Sequence, residues 1–401
     1  MRVLLSTIGT RGDVQPLVAL ALALRAQGDD VRLCVPPDFQ EWVESFGFAV
    51  TPIGPSLRQT AVPRPSAAPP TPELRQQMIN GTVAAQFDTI ARAADGCDLI
   101  VGATALQVAA PSVAEQMGVP YVFVAYCPVV LPSVHHAPPV LPGQPRPDGP
   151  ADYARFWEDD ARRWVAMWRD PINEHRARLG LAPVDDVRRY VHTTAPWLAA
   201  DPVLGPWPDA GDTSVVRAGA WILPDDRPLA PELEAFLAAG DPPVYFGLGS
   251  MRAPEDAART AVDAARGAGR RTIVSRGWAG LSLSGDTADC LVIDEVNQQA
   301  LFPRVAAVVH HGGAGTTTAA ARAGTPQVVL PQFYDQFYWA ERIQALGAGR
   351  GVASPAAPAS LADALSAVLE PGVGARAREL AGRMPADDAT SAAARLASLV
   401  K

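Results

Sequence analysis

The glycine-rich stretch at residues 310–318 limits most strongly how this chain can fold. It follows an apolar run at residues 305–309 and precedes an alanine-rich run, a pattern that predicts a strand, a tight turn and a helix start. Glycine allows a ligand to approach the backbone closely, and the free N–H groups of a helix start attract anions. The hydroxyls of Thr316 and Thr317 add donors, and the histidine pair adds a protonatable one. We expect a phosphate or diphosphate here, although such turns also occur for tight packing alone.

Two common nucleotide-binding motifs do not match this stretch. It lacks the G-x-x-x-x-G-K-[ST] order of a P-loop, and it is not a G-x-G-x-x-G placed at the first strand of a dinucleotide fold. A third kind of nucleotide site is therefore required.

Length and charge limit the class of protein. A chain of 401 residues exceeds the size at which one core stops growing, so we expect two domains of about 200 residues each. The net charge of -8 argues against a nucleic-acid partner, whose phosphates require a basic surface. Small-molecule substrates are expected instead, with the protein a monomer or homodimer.

The cysteines and the N-terminal segment indicate a compartment. The four cysteines, Cys34, Cys97, Cys127 and Cys290, show no C-x-x-C spacing, as expected of reduced thiols. Charged and polar residues interrupt the start of the chain where a signal peptide would turn apolar, and no apolar stretch approaches the roughly 20 residues of a membrane span. The sequence therefore predicts a soluble, cytoplasmic protein with no membrane partner.

Strand and helix patterns alternate in both halves of the chain. After the first strand, a turn at residues 9–13 leads into a helix that ends near residue 27, and a later helix is expected to begin near residue 254. Alternation of this kind predicts parallel sheets covered by helices on both faces, an α/β fold. The strand candidates are residues 2–6, 31–35, 49–53, 99–101 and 121–125, then 244–248, 271–275, 290–293, 306–309 and 327–330.

Four further segments complete the predicted organisation. Residues 61–72 and 131–150 are dense in proline and are predicted to be long surface loops, with His135 and His136 as loop residues rather than metal ligands. A helix over residues 152–179 carries three tryptophans on one face, which favours packing over ligand stacking. A linker at residues 207–228 separates a domain at 1–206 from one at 229–380.

The turns after the predicted strands carry the polar residues. In open parallel sheets, ligands bind beyond the carboxyl ends of the strands, so a site between the domains would collect these turns. They are Thr10, Arg11, Gly12 and Asp13; Gly249 and Ser250; Gly277 and Trp278; Val296 to Gln298; the His311 loop; and Asp335 with Gln336. Structural alternatives are that Asp13 caps a helix, that Trp278 is a core residue, and that Asp335 and Gln336 cap the next helix.

These motifs together resemble the inverting GT-B glycosyltransferases that use nucleotide sugars, most closely the actinomycete enzymes of the vancomycin group. The resemblance spans essentially the full length and rests on residues 9–13 with Pro16, 277–280, 295–302, 310–316, 324–326 and 335–336. It implies two Rossmann-like domains facing across a cleft, with residues 381–401 forming a helix that crosses back to the first domain. No cofactor other than the nucleotide-sugar co-substrate is implied.

The resemblance also implies roles for individual residues. Asp13 would be the general base, and the His311 turn would hold the donor diphosphate. The Val296 backbone would bind the nucleobase of the donor, and Asp335 and Gln336 would bind sugar hydroxyls. The residues implied in donor binding are Thr10, Arg11, Gly12, Ser250, Trp278, Val296, His311, Gly313, Ala314, Gly315, Thr316, Asp335 and Gln336. A helix N-terminus can stabilise the leaving diphosphate without a metal, and no D-x-D motif for a metal is evident.

One departure from the family bears on the donor. Plant relatives have a ribose-binding glutamate eight residues after the loop histidine, and Ala319 stands there in this chain. A 2′-deoxyribose loses nothing by this change, so we predict a dTDP sugar, with UDP less favoured. The orienting partner of Asp13 is not identifiable.

The predicted reaction is transfer of a hexose or deoxyhexose to a hydroxyl of a natural-product aglycone of glycopeptide, polyketide or macrolide type. A sugar-nucleotide epimerase of the same fold is one alternative, and an inactive auxiliary protein is another. The long loops favour an acceptor cleft over the first, and retention of Asp13 with Asp335 and Gln336 speaks against the second.

Overall fold

A computed structural model gives the architecture of the chain and describes residues 1–58, 71–104, 106–141, 144, 149–283, 288–353, 357–385 and 389–400. Most of the predicted loop at 61–72 and part of that at 131–150 lie outside the described residues. Within the described chain two parallel sheets form, each covered by helices, which confirms the predicted α/β class.

Seven strands build the first sheet, in the order β3-β2-β1-β4-β5-β6-β7, and all of their pairings are parallel. Its strands are β1 (Arg2–Thr7), β2 (Asp30–Val35), β3 (Ala49–Pro52), β4 (Leu99–Ala103), β5 (Tyr121–Ala125), β6 (Trp197–Leu198) and β7 (Val216–Arg217). Every residue of β4 is buried, as expected for a central strand covered on both faces. The sheet reaches into the segment 207–228, where a linker was predicted.

The second sheet repeats the same winding in the order β10-β9-β8-β11-β12-β13. Its strands are β8 (Val244–Gly247), β9 (Thr272–Ser275), β10 (Cys290–Ile293), β11 (Ala307–His310), β12 (Gln327–Val329) and β13 (Gly349–Gly351). In both sheets the strand order reverses beside the first strand, between β1 and β4 and between β8 and β11. These reversals are where doubly wound folds bind ligands.

Helices cover both faces of the sheets. They are α1 (Arg11–Ala26), α2 (Gln40–Glu44), α3 (Pro72–Ala93), α4 (Ala110–Met117), α5 (Tyr153–Arg178), α6 (Val187–His192), α7 (Pro231–Ala238), α8 (Ala257–Gly267), α9 (Gln298–Leu301), α10 (Ala314–Arg322), α11 (Gln336–Ala345), α12 (Pro358–Val368), α13 (Pro371–Arg383) and α14 (Ala389–Ala397). None of the helices in the described part combines the length and apolar character needed to cross a bilayer.

Two helix starts differ from the prediction. The first helix begins at Arg11, inside the turn predicted at 9–13, because Thr10 occupies the N-cap position and the N–H groups of Asp13 and Val14 already bond to its carbonyl. Helix α8 begins at Ala257, not near residue 254. The tryptophans of α5 do pack: Trp164 lies against Trp168 and His192, and Trp157 donates to the His136 carbonyl.

An apolar cluster continuous across both domains joins them beneath the cleft. Phe123, Leu198 and Leu204 of the first domain pack with Trp339, Ile343 and Leu380 of the second. Arg342 donates to the carbonyls of Val203 and Leu204 at 3.0 and 2.9 Å. At the C-terminus, α14 packs against α1 in the first-domain core.

Gly205 tests this junction, because a Cβ there would lie 2.8 Å from Cη2 of Trp339. We expect Gly205→Ala to lower the free energy of unfolding by about 1–3 kcal/mol through overpacking, measured by urea unfolding. The control is Gly211→Ala, where the new Cβ would have an ordinary 3.5 Å contact with Asp209. Equal stability of the two variants would contradict tight packing at the junction.

Candidate active site

The site lies where turns from both sheets meet at the carboxyl ends of their strands. The β8 and β9 turns are joined by the Trp278 N–H, which donates to the Gly249 carbonyl at 2.8 Å. The β11 turn lies against the β8 turn, since a Cβ on Gly249 would be 3.1 Å from the His311 ring. Arg11, after β1, reaches Glu295, after β10, at 2.9 Å. Turns that are distant in sequence therefore form one cleft.

Asp13 lies half-buried in the first turn of α1. Its Oδ2 accepts from the Thr10 N–H at 2.6 Å and from the Thr10 hydroxyl at 3.2 Å, so it occupies the third helical position rather than the N-cap. Gly9 allows this close approach, because a Cβ there would lie 2.2 Å from Oδ2. Burial raises the pKa of Asp13 to about 6, against the lowering effect of the Thr10 donors.

Asp335 is the second carboxylate of the cleft. Its Oδ2 accepts from the Trp339 indole N–H at 2.9 Å, one turn along α11. Burial, together with the negative charge of Asp13, raises the pKa of Asp335 to about 7. Although Asp335 holds the N-cap position of α11, its side chain makes no capping bond there.

Gln336 is buried, and its side chain bonds to the backbone of the turn that follows β12. Its Oε1 accepts from the N–H groups of Gln332 and Phe333 at 2.8 and 3.3 Å, and its Nε2 lies 3.3 Å from the sulfur of Met251. These bonds orient the β12 turn toward the β8 turn. Sugar binding by Asp335 and Gln336 stays a prediction.

The two histidines of the glycine-rich turn have different environments. His310 is fully buried, with Nε2 2.8 Å from Gln327 Oε1 and Nδ1 accepting from the Gly312 N–H at 3.1 Å, which makes it structural. His311 lies over Gly313, since a Cβ there would be 2.5 Å from its Nε2. Its Nδ1 is buried and has no partner in the described part of the chain. Burial lowers its pKa to about 4, so this ring is neutral at pH 7 and offers an uncharged donor.

The N-terminus of α10 carries the groups that are predicted to bind an anion. Gly313 is its N-cap, with no side chain to bond the first N–H groups. The N–H groups of Ala314, Gly315 and Thr316 therefore point out of the helix start, where the helix dipole favours negative charge. One expectation was wrong: the Thr317 hydroxyl is buried and donates to the Gly313 carbonyl at 2.9 Å, which leaves Thr316 as the hydroxyl at this end.

The residues predicted to bind the nucleobase lie in two different surroundings. Val296 and Ala319 both pack against the cluster that contains Leu301 and Phe302. Trp278 is half-buried, and its ring is stacked on Phe39 of the first domain with centroids 6.1 Å apart. Stacking of Trp278 on a nucleobase remains a prediction. Ser250, next to Gly249, makes no hydrogen bond through its hydroxyl among the described residues.

The sequence reasoning missed Tyr334 and Tyr126 at the cleft, and it named the turn that holds Asn297 without giving that residue a role. Tyr334 adopts a left-handed conformation at φ 61°, and its N–H bonds to Val140 of the first domain at 2.9 Å. Tyr126 donates to the Asp13 carbonyl at 3.2 Å. Asn297 caps α9 and donates to the carbonyls of Asp225 and Arg227, which ties the linker to the β10 turn. Neither tyrosine had a signal in the sequence, whereas Asn297 could be recognised as a polar residue before a short helix.

The described residues hold no cluster of histidine, cysteine or carboxylate groups suited to a metal ion. What the cleft does contain is a carboxylate of raised pKa, a second carboxylate and an anion-binding helix start. This set of groups suits displacement of a phosphate leaving group by a hydroxyl that loses its proton. The fold and site together define a GT-B glycosyltransferase.

Comparison with known proteins agrees with this assignment to the glycosyltransferases. Residues 3–136 match the glycosyltransferase family 28 N-terminal domain, and residues 281–396 match the erythromycin biosynthesis protein CIII-like C-terminal domain. Two relatives from Amycolatopsis orientalis, glycosyltransferase GtfE and vancomycin aglycone glucosyltransferase, are each 48% identical over 98% of this chain and 96% of their own. The solved structure of glycosyltransferase VinC in complex with dTDP matches with a TM-score of 0.67 at 23% identity, covering 100% of this chain and 99% of that one.

The chain therefore belongs to the GT-B glycosyltransferase family that includes the vancomycin-group enzymes, and it is a glycosyltransferase. This confirms the resemblance stated from its motifs. The likeness to VinC supports the fold alone.

The two raised carboxyl pKa values predict a dependence of stability on pH. The folded protein retains protons that an unfolded chain, with carboxyl pKa values of about 4, has released, so these groups destabilise the fold as the pH rises from about 4 to 7. We expect Asp335→Asn to be more stable than the parent at pH 8, with the difference shrinking toward pH 4, in urea unfolding. The exposed Asp88→Asn is the control. A pH-independent difference would contradict the raised pKa of Asp335.

Proposed function

We propose that this enzyme transfers a hexose or deoxyhexose from a dTDP sugar to a hydroxyl of a natural-product aglycone, with inversion and with Asp13 as general base. The observation that carries the proposal is the pairing of two groups in one cleft. The half-buried Asp13 carboxylate follows β1, and the open N-terminus of α10 with His311 follows β11, each at the strand-order reversal of its sheet.

The chemistry requires these two groups on opposite sides of the anomeric carbon. As the acceptor oxygen bonds to that carbon, its proton passes to Asp13 and the bond to the diphosphate oxygen breaks. The charge that develops on the diphosphate is stabilised by the N–H groups of residues 314–316, the helix dipole and His311. A base with a pKa of about 6 is mostly ionised at pH 7 and remains basic enough to take the proton.

Tyr126 and Thr10 support the base in this scheme. Thr10 holds the Asp13 carboxylate through two donors, while Tyr126 bonds to its backbone carbonyl. These contacts keep Asp13 in position before an acceptor arrives, which is the preorganisation that catalysis needs. In this proposal Asp335 binds the transferred sugar through the oxygen not held by Trp339.

The acceptor and donor classes are supported from different sides. One relative is named for the vancomycin aglycone, which supports a glycopeptide-type acceptor. For the donor, Ala319 packs against the same cluster as Val296 and supplies no carboxylate for a ribose 2′-hydroxyl. No metal is needed in this scheme, because the helix start and His311 take the role that a cation has elsewhere.

Replacement of Asp13 tests the base. Asp13→Asn should lower kcat by roughly 100- to 10,000-fold and leave the Kd for dTDP unchanged, because the amide keeps an acceptor for Thr10 but cannot take a proton. In the parent, kcat/KM should fall about tenfold per pH unit below about 6. Steady-state kinetics and calorimetry measure both, with Asp88→Asn as control. Transfer by Asp13→Asn at the parent rate would exclude Asp13 as the base.

Calorimetric titration with dTDP and with UDP, in EDTA, tests the donor. The parent should bind dTDP more tightly, whereas Ala319→Glu should tighten UDP binding by roughly tenfold, because a carboxylate then accepts from the ribose hydroxyls. Ala319→Gln, which has the same size without the charge, should gain less. A parent that prefers UDP would contradict the donor assignment while leaving the enzyme class intact.

A further inference from the structure

Two contacts join the first domain to the donor-side turns of the second, on the same side of the cleft. Arg11 Nη2 donates to Glu295 Oε1 at 2.9 Å, and the Phe39 ring is stacked on Trp278 with an interplanar angle of 22°. We call Arg11, Phe39, Trp278 and Glu295 the cross-domain clasp. In the part of the chain that the structure describes, Arg11 and Glu295 form the only ion pair between the two domains.

The first-domain side of the ion pair is held in place before it meets Glu295. The Arg11 guanidinium carbon lies 3.4 Å from the centroid of the Trp42 ring, and Nε donates to Gln15 Oε1 at 3.3 Å. An arginine stacked on an aromatic face loses less side-chain entropy when it pairs. Burial lowers the pKa of Arg11, but an arginine of this kind stays charged at pH 7.

The second-domain side is held from the linker. Arg227 approaches the same Glu295 oxygen at 3.4 Å and pairs with Asp225 at 2.6 Å. Asn297, two residues after Glu295, bonds to the carbonyls of Asp225 and Arg227. Contacts with the linker therefore hold the turn that contains Glu295, two residues after β10. Glu295 immediately precedes Val296, whose backbone is predicted to bind the nucleobase.

The position of Arg11 in the helix gives the ion pair its consequence. Arg11 is the first residue of α1, and Asp13 lies in the same turn, held by Thr10. A displacement of Arg11 across the cleft therefore moves the Asp13 carboxylate with it.

We propose that Glu295 is a positioning residue for sugar transfer: through Arg11 it fixes the first turn of α1, and so the Asp13 carboxylate, against the donor-side turns of the second domain. Closure of the clasp and placement of the base are then one event. The inference rests on the proposed role of Asp13 as general base, and it assigns a role to Glu295, which the donor and base assignments leave unused.

A double-mutant cycle on the full-length enzyme tests the coupling. Glu295→Gln should lower kcat at saturating donor and acceptor by roughly fivefold, since exposed pairs are modest in energy, and should change the Kd for dTDP by less than about twofold. Arg11→Gln should lose a similar factor, and the double variant should lose no more than either single variant. Arg11→Lys should restore part of the rate.

Two control variants separate the clasp from general effects of charge. Glu234→Gln breaks a comparably exposed pair with Arg304 inside the second domain and should keep the parent kcat. Arg227→Gln removes the other cation on Glu295 and should cost less than Glu295→Gln. Additive losses in kcat would overturn the proposal, because Arg11 and Glu295 would then act independently. Weaker dTDP binding by Arg11→Gln, with no change in dTDP binding by Glu295→Gln, would also overturn it, because Arg11 would then act on the donor directly. A parent-like kcat for Glu295→Gln would also overturn it.

A scattering measurement keeps this proposal separable from the proposed function. The radius of gyration of the parent should increase with salt, because salt screens the ion pair. The radius of Glu295→Gln should equal the parent's high-salt value at all salt concentrations. Equal radii in parent and variant would overturn the role of the clasp. If the parent nevertheless transfers sugar, the proposed function is retained. A parent that shows the salt-dependent radius but transfers no sugar would refute the function, and with it the placement of a base, while retaining the clasp.

Discussion

An apolar cluster shared by the two domains is the constraint on which the site depends. Parallel strands place all of their carboxyl ends on one edge, so each sheet by itself offers only half of a cleft. Trp339 and Ile343 of the second domain pack with Leu204 of the first, and Arg342 satisfies two carbonyls at the same junction. Because α14 also returns to α1, the two edges face each other rather than open solvent.

Within that cleft, burial determines the chemistry of the charged groups. Asp13 and Asp335 both have raised pKa values because they have lost water, and the charge of Asp13 makes ionisation of Asp335 less favourable still. His311 is kept neutral by the same loss of water. The open N-terminus of α10 adds a positive potential to this cleft that favours an anion. A site of this kind needs no lysine, and Lys401 is the only lysine in the chain.

The polar residues of the cleft are held by contacts between turns, which periodicity cannot indicate. Tyr334 bonds to Val140 across the domains in a left-handed conformation that a tyrosine seldom adopts. The Arg11 to Glu295 pair spans 284 positions of the sequence. Thr317 shows the reverse case, since its hydroxyl bonds within its own helix and not to the site.

Local pattern in the sequence determined the two α/β domains, most strand positions and the glycine-rich turn before α10, because buried strands and helix starts need particular residues nearby. It did not indicate β6, β7 or β13, which have two or three residues each and are held by their neighbours in the sheets. It also placed Asp13 among possible helix caps, whereas the fold puts Thr10 at the cap. Only the tertiary structure decided which turns meet, which carboxylates lose water and which side chains cross between domains, because burial and charge coupling arise from contacts distant in sequence.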